Sequence, residues 1–135
     1  MKNTKSMHPT VFSALHTNCK EELDELYKSW AKRYDADVLN TIGYIGHIIS
    51  TELLLKYLSA TDARILDAGC GTGLVGEILE RKGFDDVVGV DCSQSMLDQA
   101  GEKSSYRALE LADLTQEFEC DDNTLDAMIC AGTCT

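Results

Sequence analysis

The residues able to do chemistry are concentrated at the end of one apolar run. In "ILDAGCGTGLVGEIL", residues 65 to 79, Asp67 breaks the run, Gly69, Gly71 and Gly73 follow at alternate positions, and Gly76 completes a GxGxxG pattern with Gly71 and Gly73. Asp91 stands 20 residues after Gly71. Glycine lets a backbone approach a ligand closely, and a carboxylate offers two acceptor oxygens. Such a set binds a small molecule through bare main chain and one or two acids.

The pattern with its trailing acid makes a nicotinamide dinucleotide the first candidate, and with it an NAD-binding Rossmann oxidoreductase. The register argues against that ligand. The glycine that closely follows the apolar run is Gly69, which puts Leu74 where the helix-packing glycine belongs. Asp67 would also set a carboxylate beside a pyrophosphate, anion against anion. A cationic or hydrogen-donating ligand suits the acids better. S-adenosylmethionine is one: it carries an ammonium, a sulfonium, two ribose hydroxyls and an adenine, and no phosphate.

The surrounding elements must hold this loop. "RILDAG" reads as a short buried strand, "LVGEILERKG" as a helix ending at Gly83, and "DVVGVD" as a second strand. A helix over "SQSMLDQAGEKS" with Ser93 as N-cap follows, then a third strand within "YRALELADL" and a fourth in "LDAMICAG". Alternating strands and helices of these lengths predict a parallel sheet with a ligand crevice at the carboxyl ends of its strands. Ahead of them, Leu23, Leu26, Tyr27, Trp30 and Tyr34 recur at helical spacing from Glu21 to Tyr34. A second helix is expected from about Val38 to Leu58, kinked near Gly43 or Gly46.

Composition narrows the partners. With 23 acids against 12 bases, net charge −11, the chain is poorly suited to a phosphate backbone, so nucleic acid is not the expected partner. Its longest greasy stretch, "TELLLKYL", is too short to span a bilayer, and Lys2 and Lys5 are followed by no apolar core of a signal peptide. The chain reads as soluble, unsecreted and cytoplasmic. Six cysteines, Cys19, Cys70, Cys92, Cys120, Cys130 and Cys134, form no CxxC pair and read as reduced thiols. His16 and Cys19 lie three apart, but two residues make no metal site; His8 and His47 read as structural or solvated.

The sequence resembles the class I S-adenosylmethionine-dependent methyltransferases through "LDAGCGTG", "VVGVDCSQSML", "LADL" and "LDAMICAG". With "YKSWAKRYDADV" added, it is similar to the Williams-Beuren syndrome critical-region methyltransferase-like proteins over about residues 20 to 135. The resemblance implies a Rossmann-like class I methyltransferase fold and S-adenosylmethionine as cofactor. Carried over by residue, it places Gly69, Cys70, Gly71 and Gly73, with Ala68, under the methionine moiety and Asp67 near its ammonium. Asp91 would hold the ribose hydroxyls, Cys92 and Met96 would touch adenine, and Asp113 with the backbone of Leu114 would read its amino edge. Ala131 would lie near the transferable methyl. Residues 1–60 would form a helical lid, so Trp30 and Tyr34, packing residues first, could reach ligand, and residues 61–135 would be the cofactor-binding half-domain. Local rivals stand beside these roles: Asp91 as a cap of the next helix, Met96 as core, Asp113 as solvated.

Four strands make a partial α/β fold, lacking the last strands of the class I fold. The expectation is an exposed fourth strand open to self-association, and weak turnover by this chain alone. The implied activity is in-line methyl transfer to a small-molecule acceptor. A non-catalytic binding or interaction module is the alternative, and no residue stands out as a general base.

Overall fold

The computed structural model describes residues 9–10, 20–117 and 119–132. Helix α1, Lys20–Ala36, runs on through a wider π-helical turn, Asp37–Ile42. Gly43, at φ +71, ends that run, and the chain bends by 91° into α2, Gly46–Leu55. The second helix expected from Val38 is therefore corrected. Its first five residues belong to the end of the preceding helical run, because the break falls at Gly43 to Ile45 and not within a continuous helix. No single described helix is long and apolar enough to cross a membrane.

The α/β part follows as β1 Ile65–Ala68, α3 Leu74–Arg81, β2 Val87–Asp91, α4 Gln94–Lys103, β3 Ala108–Leu111 and β4 Ala127–Ile129. All pairings are parallel, in the order β3-β2-β1-β4. Parallel strands covered on both faces read as unbroken apolar runs rather than as alternation, and β1 is buried at all four positions.

The pleat sends alternate residues of β1 to opposite faces. Ile65 joins Val75, Leu79, Phe84, Val87 and Ile129 in the main core, against which Leu54 and Leu55 of α2 pack. Leu66 and Ala68 join Val90 in a smaller cluster on the other face. Asp67 is thus a carboxylate in the strand most enclosed by the sheet, and only 1% of it is exposed. On α4, Ser93 is the N-cap expected from sequence, its Oγ accepting from the Met96 N–H at 3.4 Å.

Candidate functional site

The loop after β1 is held from below by β2. The N–H groups of Gly69 and Cys70 donate to the Val90 carbonyl at 2.8 and 2.9 Å. The 20-residue spacing in the sequence becomes a contact here: Gly71 N–H donates to Asp91 Oδ2 at 2.8 Å. Asp91 Oδ1 accepts from Ser93 N–H at 2.9 Å. The carboxylate therefore stitches the glycine loop to the start of α4, while the cap itself is Ser93. Each carboxylate oxygen can accept a second hydrogen bond, so Asp91 keeps capacity for hydroxyl donors. Burial raises its pKa, and the N–H donors Ser93, Gly71 and Cys92 pull it back.

Gly71 has φ +55, and a Cβ built on it would meet no atom within 4 Å. A backbone turned left-handed toward open space is a cradle that a side chain would fill and a ligand can use. Gly73 precedes α3 as its N-cap residue without any side-chain cap.

Asp67 lies beneath this loop. Tyr106 Oη donates to Asp67 Oδ2 at 2.7 Å and accepts from Gly76 N–H at 3.1 Å. Burial pushes the Asp67 pKa up to about 6; the Tyr106 hydrogen bond opposes the rise and the charge of Asp91 adds to it. Tyr106 was not singled out in the sequence, yet it explains the third glycine of the pattern. A Cβ on Gly76 would come within 2.4 Å of the Tyr106 ring, so that glycine makes room for a tyrosine rather than for a ligand. Burial pushes the Cys70 thiol up, and it stays protonated.

Helix α1 lies across the crevice and is tied at both ends. Lys20 Nζ reaches Asp113 Oδ2 at 2.6 Å, in the loop after β3. Asp35 accepts from the Thr72 hydroxyl in the glycine loop and from Lys103 Nζ, the latter at 2.5 Å, and Lys103 also reaches Glu77 at 3.3 Å. Asp113, expected to read an adenine edge, is held by Lys20 and by the N–H and hydroxyl of Thr115, which depress its pKa. Leu114 beside it is 38% exposed.

Trp30 is buried, donates from Nε1 to Asp37 Oδ2 at 2.8 Å and meets Tyr34 edge-on at 4.7 Å. Burial pushes the Tyr34 phenol up to about 12. Both pack within α1. Met96 is buried at the first turn of α4, and Cys92 is exposed. Cys92, with Ser93 to Ser95 and Leu111, faces Asp24, Glu25 and Lys28 of α1 across a cleft of about 230 Å³. Ala131 packs against the main core beyond β4. His47 is buried with no hydrogen-bond partner at Nδ1, and burial lowers its pKa. Among the described residues, no group of three or more His, Cys, Asp or Glu could hold a metal. His8, His16, Cys19 and Cys134 lie outside the described residues.

The crevice thus presents bare backbone, the hydrogen-bonded carboxylates of Asp67 and Asp91, and a cleft in which Cys92 and Leu111 sit among charged and polar side chains. At the start of α3, Asp35 is bonded to Thr72 and Glu77 occupies the first turn, and Lys103 pairs with both carboxylates.

Comparison with known proteins bears on the same region. A family model described as "Methyltransferase domain" matches residues 65–135. Methyltransferase-like protein 27 of Homo sapiens is 38% identical over 109 residues, covering 78% of this chain and 44% of that protein. A ubiquinone biosynthesis O-methyltransferase of Azorhizobium caulinodans is 47% identical over 93 residues, covering 62% and 34%. An 18S rRNA (guanine-N(7))-methyltransferase of Bos taurus is 40% identical over 65 residues, covering 48% and 23%. Among solved structures, a TehB-like SAM-dependent methyltransferase from Corynebacterium glutamicum matches with a TM-score of 0.61 at 27% identity, over 84% of this chain and 56% of that one. The matched parts are less than half the length of each of the three sequence relatives.

Proposed function

The chain belongs to the methyltransferase-domain family, and from that premise we propose that it binds S-adenosylmethionine in the crevice above β1 and β2 for methyl transfer to a small-molecule acceptor. The observation that carries the cofactor assignment is the Gly71 cradle between the buried carboxylate of Asp67 and the half-buried one of Asp91. Its open side accepts a ligand, and acids at Asp67 and Asp91 complement an ammonium and a pair of ribose hydroxyls. The cleft beside Cys92 and Leu111 offers adenine an apolar wall, with Asp113 at the end of β3 as the acceptor for its amino group. When bound, the cofactor supplies a methyl on a sulfonium, already activated for in-line displacement. The protein's part is then orientation and exclusion of water more than acid or base catalysis. The lid helix α1 contributes the second of these.

A small-molecule acceptor is supported by the ubiquinone-pathway relative and by the chain's net charge of −11, which disfavours binding to nucleic acid. The rRNA-modifying relative is the reason to test acceptors of both kinds. A cytoplasmic location accords with the exposed thiols of Cys92 and Cys120, which suit a reducing compartment.

Thermal denaturation in the presence of S-adenosylhomocysteine, S-adenosylmethionine or NAD tests the cofactor. The two adenosyl ligands should raise the melting temperature by mass action and NAD should not. The reverse pattern would overturn the reading. Release of S-adenosylhomocysteine against panels of small molecules and of RNA then separates an enzyme from a binding module and one acceptor class from the other.

A further inference from the structure

We propose that Tyr106 is the positioning residue of the crevice: it fixes the Asp67 carboxylate and keeps it ionised through a hydrogen bond relayed from the first turn of α3. The proposal rests on the S-adenosylmethionine reading above only for the ligand that Asp67 meets.

The first N–H groups of a helix have no partner within it, and the residue before α3, Gly73, has no side chain to cap them. Tyr106 does so from 30 residues away, accepting from Gly76 N–H and donating its own hydrogen bond to Asp67 Oδ2. A hydroxyl that accepts from a helix N-terminus is polarised into a stronger donor. Among the described residues, Tyr106 is the side chain that hydrogen-bonds Asp67. Its ring is seated where Gly73, Gly76 and Gly89 all lack a Cβ, with built atoms falling within 3.0, 2.4 and 3.0 Å of it. Three glycines from two segments, the start of α3 and β2, thus accommodate one tyrosine, and a seat so closely fitted leaves its hydroxyl one position.

The charges around Asp67 make this contact consequential. Asp91 at the end of β2 opposes its ionisation, as burial does, and Cys70 in the loop is a neutral thiol. On the neighbouring helices, Asp35 of α1 and Glu77 of α3 are both bonded to Lys103 of α4, so no described cation pairs with Asp67 itself. Among the described residues, the Tyr106 hydrogen bond favours the carboxylate against burial and the charge of Asp91. An ammonium-bearing ligand needs that carboxylate ionised near neutral pH.

The test is Tyr106→Phe, read in two ways. The Asp67 carboxyl is titrated by carbon-13 NMR without any ligand, and binding of S-adenosylhomocysteine and of 5′-methylthioadenosine, which lacks the amino-acid end, is measured from pH 6 to 8.5. In the variant the Asp67 midpoint should rise by about one pH unit or more. S-adenosylhomocysteine should bind at least about threefold more weakly near pH 6.5 and recover toward pH 8.5, while 5′-methylthioadenosine is unaffected. Gly76→Ala, which displaces the ring but leaves the tyrosine in the sequence, should reproduce the shift and serves if the phenylalanine variant fails to fold. An unmoved Asp67 titration, or equal loss of both ligands at all pH values, would overturn the proposal. If the wild-type protein binds neither ligand, the cofactor reading falls, and the ligand-free titration alone decides the role of Tyr106.

Discussion

Replacing Asp67 by Asn should stabilise the ligand-free protein, and by an amount that grows with pH. Asp67 is 1% exposed and its pKa stands at about 6, against an ordinary value of 3.8, mainly because burial penalises the charge. A carboxyl whose folded-state pKa is raised stabilises the fold fully below the unfolded value and loses that contribution as pH rises through the folded one. The rise from 3.8 to about 6 corresponds in total to about 3 kcal/mol. The isoelectric point of 4.5 makes acid solutions poorly soluble, so the useful window is pH 5 to 7.5. Roughly half the total, about 1.5 kcal/mol, is lost across that window. The asparagine variant has no such loss and keeps an oxygen to accept from Tyr106. Its stability advantage should therefore widen by about 1.5 kcal/mol between pH 5 and pH 7.5, or roughly 5 °C in melting temperature. Titrating groups remote from Asp67 are common to both proteins and cancel in the difference. Urea midpoints of both proteins at several pH values measure it. Parallel pH profiles would refute the argument, since they would mean that Asp67 titrates alike in the folded and unfolded states. The same variant should lose S-adenosylhomocysteine, exchanging function for stability.

Three other outcomes follow from the geometry. Asp91→Ala removes a carboxylate that holds Gly71 and Ser93, and should weaken S-adenosylhomocysteine by about 2 to 3 kcal/mol while circular dichroism stays native; equal affinity would sink the ribose assignment. Gly71→Val forces a β-branched residue to φ +55 and fills the cradle, so binding should vanish in calorimetry even in variants that remain folded. The edge strand β4, where Met128 is 63% exposed, should drive self-association seen by light scattering, and Met128→Lys should reduce it; a monomer at high concentration would contradict this.

The parallel sheet was legible because strand and helix periods alternate cleanly from Ile65 onward and glycine or serine punctuates each change. The loop was legible because Gly71 and Asp91 carry a spacing that the fold turns into a hydrogen bond. Tyr106 was not legible. Its hydroxyl bridges Asp67 and Gly76, at separations of 39 and 30 residues, and no local pattern reports a contact made across such distances. The role of the third glycine was hidden for the same reason, since a space for a side chain and a space for a ligand leave the same letter in the sequence. The break at Gly43 was placed among two candidates, but the π-helical turn before it depends on where Trp30 and Asp37 meet. The engagement of Asp113 by Lys20 spans 93 residues and is equally invisible to periodicity.

The two anchors of α1 also set an order of assembly during synthesis. Lys20 and Asp35 emerge from the ribosome early, but their partners Thr72, Lys103 and Asp113 come 37, 68 and 93 residues later. Until β3 and the loop after it exist, the helix has nothing to close upon. Trp30 and the other apolar groups of its inner face must wait in solvent. Helix α1 is thus made well before the partners that hold it, and a growing chain carries it as an unshielded, association-prone segment until they have been made.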